Sequence, residues 1–201
     1  MMLGLDGAPA LPQAGWVQVG LYLGWACVGS ALVLRWCRHA VFAACCGVVL
    51  CVPWAYAPVG FWALAFQAPS VVLVAWAIQT WAQHLRPQGL TRQAPACLLW
   101  AGVLLGWALC LDTFNLWPSA LNLQLFAMGF EPASVWMVLA AWLVFVAFAK
   151  PSARWVMGSA LVLLVYVLLR LPTGNVWDAL LDPFVWIALH VQLWRRAFKT
   201  T

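Results

Sequence analysis

Long apolar blocks alternate with short polar steps along the whole chain. The blocks cover residues 16–34, 40–57, 61–82, 96–111, 132–149, 155–171 and 183–198. An α-helix needs about 20 predominantly apolar residues to cross a bilayer. Blocks of this length, repeated, predict an all-α protein: a polytopic integral membrane bundle of seven transmembrane helices. Pro58–Gly60 marks a tight turn between the second and third blocks, and Pro69 lies inside the third. A proline there removes a backbone hydrogen bond, so a kink is expected. The last block is short before its cations. Pro183–Trp194 rises only ~18 Å against a hydrocarbon core of ~30 Å. Either Arg195 and Arg196 snorkel, or the helix starts earlier, near Val176.

Residues 1–15 contain prolines and carry no Lys or Arg. They read as a short extracytoplasmic lead without the basic region of a signal peptide. Residues 16–198 then form a single transmembrane domain. The composition supports this division, with 66% hydrophobic and 7% charged residues among 201. Soluble domains carry roughly 25% charged residues, and no segment here is polar enough to be one.

The net charge of +5 does not signal nucleic acid. The cations stand in small groups at block ends, as orientation signals do, and form no continuous stripe. Alternating the seven spans puts Arg35, Arg38, Arg86, Arg92, Lys150, Arg154, Arg195, Arg196 and Lys199 on one side and only Arg170 on the other. The positive-inside rule makes the first side cytoplasmic. The N-terminus is then outside and the C-terminus inside. The acids Asp6, Asp112, Glu131, Asp178 and Asp182 all fall outside.

Two polar segments stand out. Thr113–Asn122 and Thr173–Asp182 share the frame Thr-x-Asn-aliphatic-Trp-x-x-x-Leu-Asn/Asp. Each leads to an acid-proline step, Glu131-Pro132 or Asp182-Pro183, a good helix start. Residues 97–149 and 155–198 therefore form a candidate hairpin repeat. The outer polar cluster is Asp112, Asn115, Asn122, Arg170, Asn175, Asp178 and Asp182. Asp178 and Asp182 are four residues apart and would share a face on one helix. Arg170, alone among the cations on that side, is expected to pair with Asp112, Asp178 or Asp182. The competing expectation makes Asp182 and Glu131 helix caps and Asp112 a rim charge.

Seven cysteines lie mostly inside apolar blocks, with no Cys-x-x-Cys, and read as small hydrophobes. His39, His84 and His190 sort to the basic side. His84 and His190 could face a haem only if the third and seventh spans meet. Among sixteen tryptophans, Trp16, Trp36, Trp54, Trp81, Trp117, Trp155, Trp177 and Trp194 sit near block ends, as an interfacial belt does. No metal-ligand spacing, cofactor fingerprint or catalytic motif occurs, so no metal or cofactor is expected. The expected surroundings are the lipid bilayer and other membrane proteins. Three functions fit, in this order: a membrane-embedded subunit, scaffold or assembly partner; a carrier or channel for a small solute; an enzyme acting on a lipid-linked substrate at the outer leaflet through Asp112, Asp178 or Asp182. The Ala/Leu-rich, Arg-over-Lys style points to a bacterial inner membrane.

Overall fold

The computed structural model describes residues 15–51, 68–85, 94–118, 124–149, 153–169 and 174–198. Among the described residues the regular structure is entirely helical, with no strand. In chain order the helices are α1 (Gly15–Cys37), α2 (Ala40–Cys51), α3 (Val71–Leu85), α4 (Ala96–Thr113), α5 (Leu125–Met128), α6 (Pro132–Ala149), α7 (Ala153–Leu169), α8 (Val176–Leu180) and α9 (Pro183–Ala197). Three stretches, Gly20–Cys37 in α1, α4 and α6, are long and apolar enough to cross a membrane; α2 and α7 contain shorter apolar stretches.

Two compact units divide the chain, Met1–Pro69 and Ser70–Thr201. In the first, α1 and α2 form a hairpin. Small side chains bring the helices together: Ala31 and Ala43 are fully buried, and a Cβ on Gly47 would press on Ser30 Cβ at 3.0 Å. Without a hydrophobic drive between helices in lipid, close backbone approach of this kind is what gains dispersion contacts. The hairpin turns in two residues because Arg38 adopts a left-handed backbone, φ 56°. Its N–H still donates to Leu34 O at 2.9 Å.

In the second unit α4 packs antiparallel on α9. Gly102 lies under Leu189 and Gly106 under Trp186, with no room for a Cβ at either. The Trp186 indole donates to Val103 O at 3.3 Å and meets the Trp107 ring edge-on at 5.1 Å. The Gly102-x-x-x-Gly106 spacing puts both glycines on one helix face. Helix α3 packs on α7, α8 and α9. Around Tyr166, Val176 and Ala179 gather Val71, Val135 and Val138, so α3, α6, α7 and α8 share one small core. Trp142 of α6 donates its indole N–H to Ser159 Oγ of α7 at 2.8 Å.

Several helix bounds lie near the expected block ends, while three stretches among the described residues are long and apolar enough to cross a membrane. Helix α6 covers 132–149 as expected, and α4 and α9 differ by one or two residues at one end. The kink expected at Pro69 is a helix start: Ala68–Ser70 are non-helical and α3 opens at Val71. Ser70 caps it, its Oγ accepting from Leu73 N–H at 3.0 Å. The longer helix starting near Val176 does not form. Leu181 and Asp182 are extended and separate α8 from α9. Pro183 is the physical reason, because it biases the preceding residue away from helical backbone.

Candidate functional site

Asp182 ends up between two helix starts. Its Oδ1 accepts from Val185 N–H at 2.7 Å, capping α9, and Pro183 occupies the first turn. Its Oδ2 accepts from Ser70 N–H at 3.1 Å, 112 residues away, at the start of α3. One carboxylate thus satisfies donors from two helices whose positive dipole ends both favour an anion. Ser70 is fully buried there.

Asp112 and Asn175 meet through one residue. Phe126 N–H donates to Asp112 Oδ2 at 2.7 Å, so the last turn of α4 holds the first turn of α5. Phe126 O in turn accepts from Asn175 Nδ2 at 3.3 Å. Asn175 Oδ1 caps α8 by accepting from Trp177 N–H at 2.9 Å. Two further bonds fasten this point: Trp177 Nε1 donates to Leu125 O at 2.7 Å, and Val176 N–H to Gly129 O at 3.0 Å. Asn175 is fully buried and every described bond of its amide is made within the protein. Asn175, Val176 and Trp177 of the second polar segment therefore join Leu125, Phe126 and Gly129, which lie between the first segment and α6.

Gly129 is what permits the junction. Its backbone is ordinary helical, φ −62°, so no conformational need calls for glycine. A Cβ there would overlap Asn175 Oδ1 and the Trp177 ring. Beside it, buried Ser134 donates to Glu131 O at 2.7 Å. Glu131 itself serves the start of α6 through its backbone carbonyl, which also accepts from Ser134 N–H at 3.0 Å.

The other cluster members divide. Asn115 follows α4 with a left-handed backbone, φ 52°, and an exposed side chain. Asp178 lies in the first turn of α8. It does not share a helix face with Asp182, because the chain is extended between α8 and α9. Asn122 and Arg170, and with Arg170 the ion pair expected for it, lie outside the described residues. The two Thr-x-Asn-aliphatic-Trp frames differ locally: Asn175 is an extended cap ahead of a helix, whereas Asn115 stands just past the end of one. Trp177 Nε1 is bonded, while Trp117 Nε1 is buried with no hydrogen-bond partner among the described residues.

Midway along α9, His190 sits against α4. Its Nδ1 is 2.9 Å from Trp186 O, and Trp107 Nε1 donates to its Nε2 at 3.3 Å. A carbonyl only accepts, so the proton lies on Nδ1 and Nε2 is free to accept. Nε2 therefore ties α9 to α4, while Nδ1 is engaged within α9. His84 is exposed at the end of α3. Arg196 donates to Ala94 O just ahead of α4. Among the described residues no three His, Cys, Asp or Glu side chains gather as a metal site would require. Cys27, Cys37, Cys45, Cys46, Cys97 and Cys110 are free thiols.

Sequence reasoning missed Ser70, Gly129, Ser134, Phe126 and the glycine pair of α4. The Gly102-x-x-x-Gly106 spacing was a readable signal for that pair. Ser70, Phe126 and Gly129 meet positions far along the chain, and Ser134 bonds carbonyls three and five residues away; none of these leaves a mark in local composition. Comparison of the chain with protein-family models, with characterised proteins and with solved structures gives no match.

Proposed function

We propose that the chain is a seven-span protein of a bacterial inner membrane, N-terminus outside and C-terminus cytoplasmic, that works as a membrane-embedded subunit or assembly partner. One observation carries the subunit reading. The polar side chains expected to do chemistry are engaged in fastening helix ends: Asp112 holds α5, Asn175 holds α8 to α5, and Asp182 holds α9 to α3. A catalytic carboxylate needs a free face toward substrate, whereas these are bonded to backbone donors. Helix α6 adds support, with only 6% of its apolar stretch buried inside the protein. The test is the size of the assembly in mild detergent. A native gel of solubilised membranes should place the 22.2 kDa chain in a particle with a second polypeptide at fixed ratio. A lone chain that retains a catalytic or transport activity would overturn the subunit reading.

A second reading, a small-solute carrier, draws on a different observation. Helix α3 starts midway along the apolar block 61–82, α9 is broken from α8, and both starts meet at Asp182. Carriers build substrate sites from discontinuous helices whose N-termini face an anionic group. Solute flux in proteoliposomes that is lost in Asp182→Asn would move the assignment to this reading.

A further inference from the structure

We propose that the α1–α2 turn binds the headgroup of an anionic phospholipid, an inference that rests on the membrane reading above. Five consecutive residues, Arg35 to His39, are exposed at this turn. They follow directly on the packed part of α1, where Ala31 and Leu34 are 0% and 2% exposed. Arg35 lies in the last turn of α1 and Arg38 is the first residue of the turn that follows, so both stand at the same end of the hairpin. The left-handed backbone of Arg38 ends α1 abruptly and keeps the turn short. Because Ala31, Ala43 and Gly47 let α1 and α2 pack closely, the two guanidinium groups stand on a tightly packed base.

No Asp or Glu occurs among the described residues of this unit. Guanidinium groups match phosphate oxygens in geometry as well as charge. Trp36 is 85% exposed between the two arginines. An indole so placed is costly in water and favourable at the headgroup boundary. A lipid, and not free phosphate, is indicated by what lies beside the cations. Leu32, Val41 and Phe42 are 45%, 78% and 55% exposed, and they offer acyl chains an apolar surface next to the headgroup site. The bound molecule is thus held at both ends: phosphate on Arg35 and Arg38, hydrocarbon on Leu32, Val41 and Phe42.

The test uses the full chain in a neutral detergent, titrated with phosphatidylglycerol, phosphatidylcholine or sodium phosphate, with retained lipid counted by native mass spectrometry. Phosphatidylglycerol should be retained over phosphatidylcholine. The double variant Arg35→Gln/Arg38→Gln should weaken that retention by roughly fivefold for each cation removed. Arg35→Lys/Arg38→Lys should recover most of it, because the charge returns. Equal retention of the two lipids by the wild type overturns the proposal, and so does displacement of phosphatidylglycerol by millimolar phosphate. A Lys variant as weak as the Gln variant also overturns it, since the effect would then be one of folding. Alkaline carbonate extraction separates this from the premise: release of the chain from membranes undoes the membrane reading, whereas a membrane-retained chain without lipid preference undoes only the site.

Discussion

Replacing Gly129 by alanine probes the junction between the end of α5 and the start of α8 with a single methyl group. The backbone at Gly129 is αR, so alanine carries no conformational penalty and only its Cβ matters. That Cβ would overlap Asn175 Oδ1, which caps α8, and the Trp177 ring, which is bonded to Leu125 O. Both groups would have to move. Loss of an Asn cap costs ~1 kcal/mol and each lost hydrogen bond ~0.5–1.5 kcal/mol. Forcing a methyl into packed surroundings adds ~1–3 kcal/mol. These terms overlap, and their combined effect is about 3–5 kcal/mol of destabilisation. For a chain of this size, at ~2–4 °C per kcal/mol, melting in detergent should fall by about 6–20 °C. Gly158→Ala is the matched control. Nothing lies within 4 Å of a Cβ at Gly158 in α7, and alanine is the better helix former by ~0.8–1 kcal/mol. That variant should melt at or slightly above the wild type. Two variants with the same melting point would refute the reasoning, because the Asn175–Gly129 contact would then hold nothing.

Substitutions at three further positions follow from the same geometry. Asp182→Asn separates the two roles of that carboxylate: asparagine still caps α9 but offers one acceptor. Hydrogen exchange should stay slow at Val185 and quicken at Ser70, while Asp182→Ala quickens both; equal protection at Ser70 in wild type and Asn variant would count against the α3–α9 bond. Gly106→Leu must push Trp186 off α4, and overpacking of this kind costs ~1–3 kcal/mol; a melting point unchanged from wild type would show that α4 and α9 do not pack there. Trp107→Phe removes the donor to His190 Nε2 and should cost ~1 kcal/mol, and it should shift the His190 ring nitrogen resonance; an unshifted resonance means that the Trp107 bond is absent.

The helix boundaries were legible where a local rule fixes them. Asp182 caps α9 ahead of Pro183, and Pro132 stands at the first position of α6, both local devices. Asp182 as a cap was expected and found; its second bond, to Ser70, was not, because it joins positions 112 residues apart. Asn175 belonged to the expected cluster, but its partner Phe126 offers only backbone atoms, which every residue has. The short helices α5 and α8 were invisible to periodicity. They have four and five residues, less than the two turns that a helical pattern needs to repeat. The break between α8 and α9 could have been read from Pro183 alone. The wish for a span long enough to cross the bilayer argued the other way, and the local rule won.

Membrane topology tests the central claim most directly. Reporter fusions after Gln88, Asn122 and Thr201 read three positions that seven spans with an outside N-terminus place on alternate sides. The account predicts cytoplasmic signals at Gln88 and Thr201 and a periplasmic signal at Asn122. A cytoplasmic signal at Asn122 would contradict it.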